Sequence, residues 1–215
     1  MDNPVPAGFF LPNRFVHITI AALKEVVGSG AMKAICHHAG LPDLDATPPP
    51  DDMNSDFPSE NFSKLFAALN DVMGMRGGRS LSIRAGRTTM RMSGIHFGTN
   101  PLPVTPSAPI TDPDVLLIRL NRLSNFLNSI SDMRTLVCKR EGQAGFEFHI
   151  RQCPNCYTQV AHESICAFFE GFIDQAVRDF TYSESFTVTE TECLAAGGQS
   201  CLYFITALTN AEQNK

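Results

Sequence analysis

The chain has 215 residues, 43% of them apolar and 18% charged, with a formal net charge of −5 and a pI near 5.6. That is the balance of a globular protein long enough to bury a sizeable core, and it excludes the broad basic footprint that nucleic acid or an anionic membrane surface would require. No stretch approaches about 18 apolar residues, and MDNPVPAGFFLPNRF carries no basic run before an apolar one, so neither a membrane span nor a secretory signal is expected and the chain reads as cytoplasmic.

Residues 11 to 40 have helical spacing, with Phe15, Ile18, Leu23, Val26 and Val27 recurring on one side. The glycines of GSG at 28–30 are expected to divide this stretch into two helices, the second stopped by Gly40 and Pro42. Residues 41–61 are rich in Pro and Asp and read as an exposed loop. Helices are expected at 61–73 and 79–97, the latter with Gly86 and Gly94 as points of close packing or bending. A second Pro-rich loop covers 98–112. A further helix at 113–130 places Leu116, Leu120, Leu123 and Leu127 at helical spacing.

Beyond residue 130 the period shortens to two. RTLVCKREGQAGFEFHIRQC predicts a hairpin in which Phe146, Phe148 and Ile150 face one way and Glu147 and His149 the other. A helix is predicted over 162–180, followed by a hairpin of 184–193 and 200–208. Helices followed by ββ-α-ββ argue for a single α+β domain over 1–215, with N-terminal helices packed on a four-stranded antiparallel sheet.

Seven cysteines in a chain expected to stay reduced call for an explanation other than disulfides. Cys36 and Cys138 stand apart and read as core residues. Cys153, Cys156, Cys166, Cys193 and Cys201 cluster in the last third, which favours metal or redox chemistry. Cys193 and Cys201 flank the turn LAAGGQS, a geometry that can present two ligands to one ion, and Cys166 is the natural further ligand. Ideal pleating would turn Glu190 away from Cys193, so Glu190 joins only across a bend or bulge. Cys153 and Cys156, in CPNC, form either a second metal half-site or a redox pair. Spacing alone leaves metal ligation, uncoordinated thiols and redox chemistry all open.

The segments FHIRQCPNC, SICAFFEGFIDQAV and ETECLAAGGQSCLYF, spanning about 146–205, resemble the 4-vinyl reductase (4VR) domain family. The cysteine-bearing helix with a glycine five residues on (Cys166, Gly171), then Glu-x2-Cys-x7-Cys, carries the likeness. That family includes a protein of bacteriochlorophyll biosynthesis, sensor domains of aromatic-responsive regulators, and hydrocarbon-binding proteins. The resemblance implies a fold similar to a subunit of the TRAPP trafficking complex. It also implies a structural zinc on Cys166, Glu190, Cys193 and Cys201, and an apolar ligand held between helices and sheet.

With 16 Phe, 8 Met and no Trp, the chain has the material for such a pocket, and Phe146, Phe148, Phe169 and Phe172 are candidates to line it. His96 and His149 are the candidate imidazole contacts for a tetrapyrrole or a phenol. No dinucleotide fingerprint, P-loop or placeable Ser/His/Asp set is present, which weighs against an enzyme. The expected function is a zinc-stabilised domain that binds an apolar or tetrapyrrole-like molecule as carrier, sensor or accessory protein. The alternatives are an enzyme of (bacterio)chlorophyll synthesis such as a 4-vinyl reductase, and a protein-interaction module. A homodimer is left open.

Overall fold

Two glycines at positive φ, Gly28 at 80° and Gly74 at 72°, break the N-terminal helices, because this backbone conformation is one that L side chains rarely adopt. The computed structural model describes residues 8–96, 112–140 and 145–208. Its elements run β1 (Phe10–Leu11), α1 (Asn13–Val27), α2 (Ser29–His38), β2 (Phe57–Pro58), α3 (Ser59–His96) and α4 (Pro113–Ile130). Then come β3 (Thr135–Lys139), β4 (Phe146–Ile150), α5 (Ala167–Thr181), β5 (Phe186–Glu192), a 3-10 turn (Leu194–Ala196) and β6 (Cys201–Ala207).

The expected helices at 61–73 and 79–97 are the two halves of α3, which meet at a kink where Gly74 leaves the helical conformation; the second half begins nearer Gly74 than expected. The first loop is shorter than expected, because Phe57 and Pro58 pair with Leu11 and Phe10. Its 98–111 counterpart lies outside the described residues. α4 begins where the sequence predicts: the Asp112 side chain accepts from the Asp114 N–H, and Pro113 sits in the first turn, where no N–H is needed.

The chain is α+β. Its four-stranded antiparallel sheet has the order β3-β4-β6-β5. Phe146, Phe148 and Ile150 of β4 are buried and pair with Ile205, Tyr203 and Cys201 of β6. This face is covered by α4 and α5, with α3 on α5 and α1 on α3. Among the described residues no helix is long and apolar enough to cross a membrane.

The tightest crossing is between α3 and α5. A Cβ at Gly171 would fall inside the surface of the Ile83 carbonyl oxygen, and one at Gly86 would meet the Phe168 carbonyl in the same way. Backbone meets backbone here, so there is no flexible side chain to give way. Gly94, the other glycine expected at a packing point, meets nothing within 4 Å. Arg79 bonds both carboxylate oxygens of Glu170 at 3.0 and 2.8 Å, and Arg87 bonds Asp174 at 2.7 Å, so ion pairs flank the crossing.

Gly171→Ala is expected to cost on the order of 2 kcal/mol or more, as overpacking against rigid backbone does. Gly94→Ala should be neutral or slightly stabilising, since it only improves helix propensity. Thermal melts of both variants check the contrast; equal melting temperatures would contradict the close crossing.

Candidate metal centre

Four segments deliver the cysteines. CPNC follows β4 in a turn held by the Gln152 N–H on the Met133 carbonyl (2.9 Å) and by the Ser63 hydroxyl on the Asn155 carbonyl (3.2 Å). Cys166 is the residue immediately before α5, with φ −92° and ψ 38°. The helix therefore starts five positions later than the predicted 162: the Cys166 N–H donates to Glu190 Oε2 at 2.9 Å, and its carbonyl accepts from the Tyr203 hydroxyl at 3.2 Å. Cys193 follows β5 directly, and its carbonyl accepts from the N–H groups of Ala196 (3.1 Å) and Gly198 (2.9 Å), closing the turn tightly. Cys201 opens β6.

Glu190 reaches the same side as Cys193 through a bulge. Glu190 pairs with Tyr203, but Glu192 pairs with Leu202, so Thr191 is an extra residue. The insertion inverts the alternation: Glu190 and Cys193 are buried, and Thr191 and Glu192 are exposed.

The sulfurs form a knot. Cys166 Sγ lies 3.5 Å from Cys153, 3.6 Å from Cys193 and 3.5 Å from Cys201. Cys156 lies 3.5 Å from Cys201, and Cys193 lies 4.0 Å from Cys201. A zinc–sulfur bond of about 2.3 Å gives a tetrahedral edge of about 3.8 Å, so these separations are those of ligands to one ion. Two quartets have all donor atoms within 4.8 Å of one another: Cys166, Glu190, Cys193 and Cys201, and Cys153, Cys156, Cys166 and Cys201.

The electrostatics fit a cation. All five thiols are buried, and Glu190 Oε1 is buried without a hydrogen-bond partner among the described residues. An orphaned carboxylate oxygen beside three sulfurs is what a metal ligand looks like before the metal is considered. Burial, and then the charge of Cys193, pushes the Glu190 carboxyl up to about 9. Burial pushes the Cys153 thiol up to about 11 and the Cys166 thiol well above its ordinary value. Glu190, Cys153 and Cys166 therefore ionise together only if a cation compensates them.

Three residues that the sequence reasoning did not single out support this set. Glu170 Oε2 accepts the Glu190 N–H at 2.9 Å and is itself held by Arg79, while Tyr203 holds the Cys166 carbonyl. Glu170 lies four residues after Cys166, one helical turn on, which is the only signal the sequence offers for it. A cleft of about 500 Å³ lined by Asn70, Met75, Arg76, Arg79 and Glu163 reaches Glu190, so the carboxylate end is the side of the centre nearest solvent.

The candidate pocket residues are divided by the sheet. Phe146 and Phe148 are buried on its helix side. Phe169 and Phe172 belong to an aromatic cluster with Phe15, Phe62, Phe66 and Phe168. His149 lies on the opposite face, where its Nδ1 meets Ser200 at 3.0 Å and its Nε2 meets Glu147 at 3.3 Å. It shares no pocket wall with the four phenylalanines. Cys36 is in the core, but Cys138 is half-buried on that outer face, 3.6 Å from Glu147. The side chain of His96 lies outside the described residues.

No family model and no curated protein matches the sequence. Solved structures similar to it include a single-substitution variant of Tt H-NOX, with a TM-score of 0.56 and 16% identity, covering 93% of this chain and 96% of that one. A doubly substituted Tt H-NOX gives a TM-score of 0.55 at 16% identity, covering 93% and 96%. A third, described by the words "Modulating Heme Redox Potential Through Protein-Induced Porphyrin Distortion", gives 0.55 at 16%, covering 91% and 99%. At this identity the likeness is one of fold.

Glu190 supplies a pH test. A carboxyl raised from 4.5 to about 9 stabilises the metal-free fold fully below its unfolded value, and that contribution is lost as the pH rises towards 9. A bound cation needs the carboxylate and thiolates, so metal affinity rises over the same window. Paired thermal melts with zinc and with chelator should diverge progressively from about pH 5 to about pH 8. A constant gap would contradict the ligand assignment.

Proposed function

We propose that this chain is a 4-vinyl-reductase-type domain of TRAPP-subunit-like fold that binds an apolar or tetrapyrrole-like small molecule, with a zinc-held hairpin as its staple. Its role is that of a carrier, a sensor or an accessory to an enzyme. The observation that carries the staple is the buried quartet of Cys166, Glu190, Cys193 and Cys201, with the Glu190 oxygen left unpartnered. Four protein donors complete a tetrahedral shell and leave no position for a reacting water, which makes the centre structural.

The ligand class is supported by the fold shared with H-NOX structures, one of them described in terms of heme and porphyrin. Phe168, Phe169 and Phe172 of α5, each at most 2% exposed, form an aromatic wall packed directly on α1 and α3, so a guest of this class would be seated beside that wall. The zinc ties the start of α5 to the β5–β6 turn, so it fixes the edge from which that wall is built.

Titration of the reduced, zinc-loaded chain with hemin, followed by absorbance, tests the reading. A shifted Soret band saturating near one equivalent is expected, and exchange into a chelator should lower the melting temperature by about 10 °C or more. No spectral change with hemin, and no retention of an apolar dye, would overturn the ligand half. An unchanged melting temperature would overturn the staple.

A further inference from the structure

The staple accounts for four of the six donors in the knot. Cys153 and Cys156 remain, and they are only 2% and 4% exposed. Burial argues against a redox dithiol, whose attacking sulfur must be reached by its partner. Neither thiol points away from the knot: Cys153 lies 3.5 Å from Cys166, and Cys156 lies 3.5 Å from Cys201.

The two quartets share one edge, the Cys166–Cys201 pair, whose sulfurs are 3.5 Å apart. One quartet completes that edge with Cys153 and Cys156, and the other completes it with Glu190 and Cys193. Two tetrahedra joined along an edge are the geometry of two metal ions bridged by two thiolates.

We propose that the knot is a binuclear centre for soft divalent ions of the zinc class, with Cys166 and Cys201 bridging. Cys153 and Cys156 complete the inner ion's shell, and Glu190 and Cys193 complete the outer one's. This inference rests on the staple reading and extends it to a second ion.

Two arguments favour two ions over one. A single ion in the outer tetrahedron leaves Cys153 and Cys156 with only weak thiol contacts, such as 3.5 Å to the Cys166 sulfur and 4.0 Å to the Cys153 carbonyl, where a second ion would give each a full ligand bond. The charge also balances. One divalent ion with three thiolates and a carboxylate carries about −2; two ions with five thiolates and a carboxylate again carry about −2. The second ion thus lets the last two thiols ionise without adding net charge to a buried site. The outer ion faces the cleft at Glu190 and the inner one is enclosed, so they differ in exchange with solvent.

The test is metal counting on the reduced full chain. Native mass spectrometry after zinc loading should give two ions per chain. Cys153→Ser/Cys156→Ser should hold one, as should Glu190→Gln/Cys193→Ser. Cys166→Ser/Cys201→Ser should hold none. Cobalt titration of the unaltered chain keeps the question decidable if a variant fails to fold. The paramagnetic resonance signal per cobalt should fall as the second equivalent binds, because thiolate bridges couple the two spins. Saturation at one ion, unchanged in Cys153→Ser/Cys156→Ser, overturns the binuclear centre and leaves the staple intact. Zero ions overturns both.

Discussion

Cys166 joins two kinds of structure. Its sulfur meets Cys153, Cys193 and Cys201, while its N–H holds the Glu190 carboxylate and its carbonyl takes the Tyr203 hydroxyl. One residue therefore fixes where α5 starts, how far β5 runs and which side of β6 faces the helices. Five positions on, Gly171 lets α3 lie directly against α5. The helix is pinned at its start by the thiol knot and along its length by backbone contact, and the aromatic wall is built on that pinned helix.

The knot imposes a cost that its surroundings partly offset. Several buried thiols and a buried carboxyl resist ionisation, so a metal-free centre holds neutral groups with few good partners. A cation removes that frustration. The charges around the centre are arranged for it: Arg79 holds Glu170, Glu170 holds the Glu190 backbone, and Glu190 is left with one oxygen to give. Orientation of a ligand by such outer contacts is how metal sites set their geometry.

Much of this was legible in the sequence, and the misses have physical causes. Asp112, Pro113 and four leucines at helical spacing specify α4, because capping and amphipathicity are local. The alternation of β4 names its buried face correctly, and the glycine break at Gly28 falls where GSG places it. The start of α5 was missed because residues 162–166 have helical composition, yet the backbone of Cys166 is captured by Glu190, a contact 24 positions away. The side taken by Glu190 depends on Thr191, which looks like any strand residue until the register with β6 is known. Cys138 seemed a core thiol for the same reason: only the pairing of β3 with β4 puts it on the outer face beside Glu147.

The central claim is that sulfur-ligated metal holds the C-terminal half together, and zinc K-edge X-ray absorption on the full chain, purified without chelator, tests it most directly. The account predicts a first shell dominated by sulfur at about 2.3 Å with a minor oxygen contribution near 2.1 Å. Bound zinc surrounded only by oxygen or nitrogen, or no bound zinc, would contradict it.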